Sequence, residues 1–172
     1  ARRLEAAEEI GGAEFARALA AARPELDVAI EEIGGGTAVF AGVGSPMSHI
    51  IGMGLDGPVT AADLDRVEQF YFQRGSLVEI VVCPLANSSL IQEIGKRPYR
   101  VTEFNYVYFR GLSREERFGT PPDGVRLEPV TPQTAALYSE VVGSGFLDEH
   151  GRPVLPPDMF VPFAQAPGSI CL

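Results

Sequence analysis

The residues able to do chemistry in this 172-residue chain fall in a few short stretches. Gly52-Met53-Gly54-Leu55-Asp56-Gly57 follows a strand pattern and precedes a helix pattern, the setting in which free backbone amides cradle phosphate. It meets the dinucleotide fingerprint literally. The helix cap is Thr60, however, beyond the third glycine, and the next strand ends in Cys83-Pro84 with no acidic residue for a ribose hydroxyl. Dinucleotide binding is therefore not expected. Glu31-Glu32 offer a carboxylate base that could take the proton of an attacking amine, and strand alternation lets only one of the two face a cleft. A solvated strand face is the plainer expectation for the pair. Ser88 and Ser89 have no His or acidic partner at nucleophile spacing, which leaves them cap or turn roles. Asn105, Tyr106 and Tyr108 could line an acceptor pocket with both tyrosines on one strand face, although core packing with bonded hydroxyls is the default for buried Tyr. Cys83, Cys171, His49 and His150 lie outside thiol-pair or His/Cys ligand spacings, so buried reduced thiols and no metal site are expected.

A further stretch, NSSLIQEIGKRPY at residues 87–99, has the frame of an acyl-transfer segment with its chemistry removed. Together with the strand-helix-strand order around it, it resembles the GCN5-related N-acetyltransferases, the GNAT family, over about residues 27–112. In that family a strand is followed by Asn, an apolar or small residue three on, Tyr seven on, and Gly-Phe or Gly-Tyr eleven on. Here Asn87 and Leu90 fit, Ile94 stands at the place of the tyrosine that serves as general acid, and Pro98-Tyr99 replace the glycine-aromatic pair. The resemblance implies an α/β (α+β) fold with a mixed, mostly antiparallel sheet flanked by helices. It also implies acetyl-CoA as co-substrate, with its pyrophosphate on backbone amides after the fourth strand and a small-molecule or peptide amine attacking the thioester directly. The family's loop reads Arg or Gln, two residues, Gly, one residue, then Gly or Ala. Aligned on Gly57, this chain places Gly54 first and Val59 last, with Pro58 between them. Pro58 has no amide to donate, and Val59 brings a branched side chain where backbone must approach phosphate. Gly57, Val59 and Asn87 are thus positional equivalents of cofactor-binding residues in a site expected to be lost, a tight turn leading into a capped helix. No catalytic residue is assigned.

The elements that must position these groups are legible in outline. Residues 4–22 read as a helix anchored by Ile10, Phe15 and Leu19, interrupted near Gly11-Gly12 and ended by Pro24. Residues 28–30 and 37–41 read as strands of a hairpin around Gly34-Gly35-Gly36, and 49–53 as a third strand. Thr60 with Asp63 three residues on begins a helix carrying Leu64, Val67 and Tyr71, which Gly75 stops. Residues 77–83 read as a central strand, 88–94 as a short helix and 100–110 as a long β-branched and aromatic strand. Residues 113–123 have linker composition. A new start follows, with a strand at 125–130 and Thr131-Pro132 capping a helix through Leu137 and Val141, similar to the opening of a second GNAT module. The expected organisation is a first module at 1–112, a linker at 113–123 and the beginning of a second, truncated module at 124–172.

Bulk properties narrow the function. With 45% hydrophobic and 22% charged residues the chain has the make-up of a folded protein. Its formal charge of -9 argues against a nucleic-acid face, which needs a basic stripe, and is compatible with a cationic amine acceptor. No apolar run approaches transmembrane length and no leader pattern is visible, so a cytoplasmic protein without membrane partners is expected. The chain lacks an initiating Met and stops at Ser169-Ile170-Cys171-Leu172, which reads as the opening of an unpaired strand, so a piece of a longer protein is expected. Two functions follow. In one, this is part of an N-acetyltransferase whose first module is non-catalytic and whose second module binds acetyl-CoA. In the other, it is a non-catalytic GNAT-like binding or dimerisation module, for which a homodimer is the natural assembly.

Overall fold

Gly34 and Gly35 set the sheet. Their φ angles of 58° and 77° are both positive, as a two-residue hairpin turn of the primed type requires, and glycine reaches them without Cβ strain. They join β1 (Ala29–Ile33) to β2 (Gly36–Phe40) in antiparallel register, Ile33 opposite Gly36 and Ala29 opposite Phe40. β3 (Ile50–Ile51) extends the sheet antiparallel to β2, with Ala38 opposite Ile50. This is a computed structural model, and it describes residues 2–117, 119–148, 150–152, 158–166 and 171.

Helices cover both faces of the sheet. α1 (Arg2–Ala22) packs on the face formed by Val39 and Ala41, using Phe15, Ala16 and Leu19. α2 (Ala61–Phe72) and α3 (Ser88–Ile94) cover the other, where Ala38, Phe40 and Ile50 meet Leu64, Val67, Phe70, Tyr71 and Leu90. β2 is buried along its whole length because its alternate residues serve two cores. Each large side chain so enclosed contributes about 1.5–3 kcal/mol. The Tyr71 hydroxyl donates to the Val39 carbonyl at 3.0 Å, tying α2 to the sheet, and burial lifts that phenol far above the ordinary tyrosine range. The architecture is α+β, a small antiparallel sheet between helices.

α2 starts as its sequence demands. Thr60 Oγ1 accepts from the Asp63 amide, and the Asp63 carboxylate accepts from the Thr60 amide at 2.8 Å, a reciprocal cap. α3 is capped by Asn87, whose Oδ1 accepts from the Ser89 amide at 3.0 Å.

Several expectations are corrected. α1 runs unbroken through Gly11 and Gly12, whose positions meet nothing within 4 Å. Glycine costs a helix about 1 kcal/mol, and the packing of Phe15, Ala16 and Leu19 outweighs it. Ile10, read as an anchor, is exposed. Residues 77–83 do not form a central strand. They join the sheet through one parallel bridge, Ile50 with Ile80, in which the Ile50 amide donates to Glu79 O at 3.0 Å and the Val81 amide to Ile50 O at 2.9 Å.

Residues 100–110 form no strand, and all of them are exposed. β-branched and aromatic content gives a segment the capacity to pair, but a ladder needs a neighbour that meets its amides and carbonyls. Residues 125–130 likewise form no strand, and among the described residues the Val130 amide donates to Cys171 O at 2.9 Å.

α4 (Ala135–Gly143) begins three residues later than Pro132. Its buried side is Ala135, Ser139 and Gly143, while Leu137 and Val141 are exposed. α5 (Val161–Gln165) lies on α1, with the Phe163 ring stacked on Phe15 at 4.3 Å and Arg23 bridging to Asp158 at 2.8 Å.

Candidate functional site

The glycine loop lies between β3 and α2 and is built mostly from bonds to itself and its neighbours. The Gly54 amide donates to Gly34 O at 3.2 Å, and the Leu55 amide to Gly52 O at 3.3 Å. Pro58 supplies no donor, and the Val59 amide donates to Ser89 Oγ at 2.7 Å. The Thr60 amide is held by Asp63. From the other side the Asn87 amide donates to Gly54 O at 2.7 Å. The amides of Gly52, Met53, Asp56 and Gly57 carry no bond among the described residues, and because Gly52 and Met53 are buried only those of Asp56 and Gly57 are open to solvent. Val59 turns inward and is buried with Met53 and Leu64 in the core. A pyrophosphate laid on this loop would meet two amides where a working cradle presents a row of them.

Charge opposes an anion as well. The Asp63 carboxylate occupies the N-terminus of α2, where the helix dipole would otherwise draw phosphate. Asp56 is an exposed member of the loop itself. Glu9 of α1 presses on Gly52, where an added Cβ would clash with its Oε1. Three carboxylates therefore border the loop.

The segment 87–99 bonds to the loop through the Asn87 amide and Ser89 Oγ. Gly57 has nothing within 4 Å of its side, Val59 is core, and Asn87 spends its side chain on the α3 cap. Ile94 packs against the α2 side of the core. Tyr99 donates its hydroxyl to Glu68 at 3.2 Å, and desolvation followed by the Glu68 charge raises its pKa well above the ordinary value, so it is poorly placed to give up a proton. Arg97 anchors the same corner, bonding Asp65 at 2.7 Å, Glu68 at 2.8 Å and Ala61 O at 2.8 Å. Ser88 is exposed, and Ser89 accepts from the Val59 amide, a long-range tie in place of the cap or turn role read for it, while the α3 cap is Asn87.

A second cleft, of about 320 Å³, opens between α1 and the β1–β2 hairpin, where Glu9, Glu14, Arg17, Glu32, Thr37 and Asp56 converge. Register separates the two adjacent glutamates. Glu31 faces α2 and pairs with Arg66 at 2.7 Å, whereas Glu32 faces α1 and accepts from Thr37 Oγ1 at 3.1 Å. One carboxylate of the pair therefore enters a cleft, as alternation requires.

Glu9 was not singled out by the sequence reading, and its carboxyl is perturbed. Desolvation first, then the charges of Glu32 and Glu5, raise its pKa, against a lowering bond from the Thr37 backbone. Its signal was the spacing of Glu5 and Glu9, four apart on one face of α1. Such a cluster favours a cation, and Arg17 and Arg2 already neutralise Glu14 and Asp56 in part. No group of three or more His, Cys, Asp or Glu among the described residues can hold a metal ion.

Asn105, Tyr106 and Tyr108 do not line a pocket or pack in the core. All are exposed, the two tyrosine rings standing 6.5 Å apart on the same segment. Cys83 is buried and Cys171 partly so, and both are free thiols. His49 bonds the Pro46 carbonyl through Nδ1 at 2.9 Å. Among the described residues no helix is long and apolar enough to cross a membrane. No family model, curated protein or solved structure matches this chain.

Proposed function

We propose that residues 1–112 are a GNAT-like module without a working acetyl-CoA site, part of a protein that transfers acetyl from acetyl-CoA to a small-molecule or peptide amine in a second module. In this reading Gly57, Val59 and Asn87 are vestiges of the cofactor loop. The first module acts as a scaffold, and the thioester, the oxyanion donors and the general acid belong elsewhere. The observation that carries the reading is the inward bonding of the loop: Gly54, Leu55, Val59 and Thr60 donate to the protein's own acceptors, and Asp63 fills the helix terminus. Calorimetric titration of acetyl-CoA into the 172-residue chain, with the fold confirmed by circular dichroism, tests it. No heat of binding is expected. Saturable binding at micromolar concentration would assign the cofactor to this module and overturn the reading.

A second reading, a non-catalytic binding or dimerisation module, has an observation of its own. Residues 101–112 expose Val101, Phe104, Tyr106, Val107, Tyr108, Phe109 and Leu112 together. Contiguous apolar surface of this kind marks an interaction site more often than an ordinary loop.

A further inference from the structure

One chain contains both halves of an unmade sheet contact. The first half is an open edge. At residues 78–82 the inner side bonds Ile50 through Glu79 O and the Val81 amide, while the main-chain groups of Val78, Ile80 and Val82 have no hydrogen-bond partner among the described residues. Yet the side chains of Val78, Ile80 and Val82 pack against the core, so the edge is a formed strand position, half-buried and apolar, lacking a neighbour on its outer side. Unpaired edges of this sort are templates for another strand.

The second half is a strand without a sheet. Residues 101–110 alternate Thr102, Phe104, Tyr106 and Tyr108 on one side with Val101, Glu103, Asn105, Val107 and Phe109 on the other. Phe104, Tyr106, Tyr108 and Phe109 are each more than three-quarters exposed. The segment's root is fixed, because Arg97 and Tyr99 are tied to α2 through Asp65 and Glu68. Beyond that root it makes no contact with the sheet.

We propose that two copies of this chain pair reciprocally, residues 101–110 of each adding as a strand to the open 78–82 edge of the other. The occupant is a second copy because the chain offers a donor strand and an acceptor edge at once, and a two-fold exchange fills both with nothing left over. In the single chain its own edge stays open while its own segment stays exposed. Area agrees: four aromatic side chains from each copy, at about 150–250 Å² apiece, amount to about 1,200–2,000 Å², the size of a specific interface. Main-chain bonds supply the affinity and the alternate side chains the fit, as in strand addition generally.

The inference rests on the second reading above, and the test separates the two. Sedimentation equilibrium of the 172-residue chain from low to high micromolar concentration is combined with hydrogen exchange of the same samples. A concentration-dependent dimer is expected, in which the amides of 101–110 together with those of Ile80 and Val82 become protected. The double variant Tyr106→Pro/Val107→Pro removes one amide donor of each parity from the middle of the segment, away from the Arg110–Glu116 pair, so it leaves circular dichroism and thermal midpoint unchanged and raises the dimer Kd by about tenfold or more. A dimer that survives the double variant with undiminished affinity sinks the strand exchange and leaves the dimerisation reading standing. A chain that stays monomeric throughout sinks the proposal, whether 101–110 is unprotected or is protected by docking on its own edge.

Discussion

Replacing Ser89 by Ala tests whether the glycine loop is a structural fastening or a dormant ligand site. Ser89 Oγ is the acceptor for the Val59 amide at 2.7 Å, and Val59 is 3% exposed, so the alanine takes away the partner of an amide in a largely buried residue. Leaving a buried donor unmatched costs about 1–3 kcal/mol, more than the net worth of an exposed hydrogen bond. The alanine removes one of the two bonds between the loop and the start of α3, leaving the Asn87 amide on Gly54 O and the Asn87 cap intact. A loss of about 2 kcal/mol divided by a urea slope of about 1–3 kcal/mol/M lowers the unfolding midpoint by about 1 M. Urea denaturation followed by circular dichroism reads that shift directly, and calorimetry of the same variant with acetyl-CoA supplies the second arm. The expected result is a destabilised chain that still ignores acetyl-CoA. A midpoint within about 0.2 M of the parent would refute the burial argument. Acetyl-CoA binding by Ser89→Ala would show that the freed Val59 amide faces a ligand, and the inward-bonded loop would then be the wrong description.

Glu9→Gln is expected to stabilise the chain at neutral pH. The Glu9 carboxyl is raised by desolvation, Glu32 and Glu5, so the folded chain holds that proton more tightly than the unfolded one. The stability it lends is complete at low pH and lost as pH rises through the raised value. The glutamine removes that loss, gaining less than about 1 kcal/mol because much of the group is open to solvent. Thermal midpoints of parent and variant should converge at acidic pH and separate toward neutrality, and parallel curves would exclude the electrostatic cause. Gly36→Ala is expected to cost about 3 kcal/mol or more, since its Cβ would fall 2.5 Å from Ile51 O and from the Met53 amide, both backbone atoms of the β3 region. A midpoint unchanged in thermal melts would mean that β3 moves aside freely.

What could be read ahead of the structure was local. The Thr60–Asp63 cap closes within three residues and the Gly34-Gly35 turn within two, so sequence neighbours carry the whole cause, whereas the Asn87 cap, equally local, was hidden behind the motif place given to Asn87. Propensity misled where packing decides. The glycines of α1 predicted a break that Phe15 and Leu19 override, and the apolar pattern of α4 pointed to Leu137 and Val141 when the small residues Ala135, Ser139 and Gly143 lie against neighbouring chain. The long strand at 100–110 shows a different limit: alternation records a side-chain preference, whereas pairing is a relation between two segments, and no local pattern names the second. In the site, the weakness of the loop as a cradle was visible in Pro58 and Val59. Its strength as a fastening was not, because Gly34, Ser89 and Asn87 reach it across folds of the chain.

The bonds that close the glycine loop also set the affinity that any phosphate could achieve there. To offer its amides the loop must first release them from Gly34 O, Gly52 O and Ser89 Oγ. At about 1 kcal/mol for each bond an opening that frees all three is populated at about 1% or less, and an intrinsic dissociation constant is multiplied by about a hundredfold. Recovery by stepwise substitution is therefore uphill. Each change that exposes a donor first loosens the junction of β3, α2 and α3, and only a change that supplies a new partner for the released structure could make the open form the resting one.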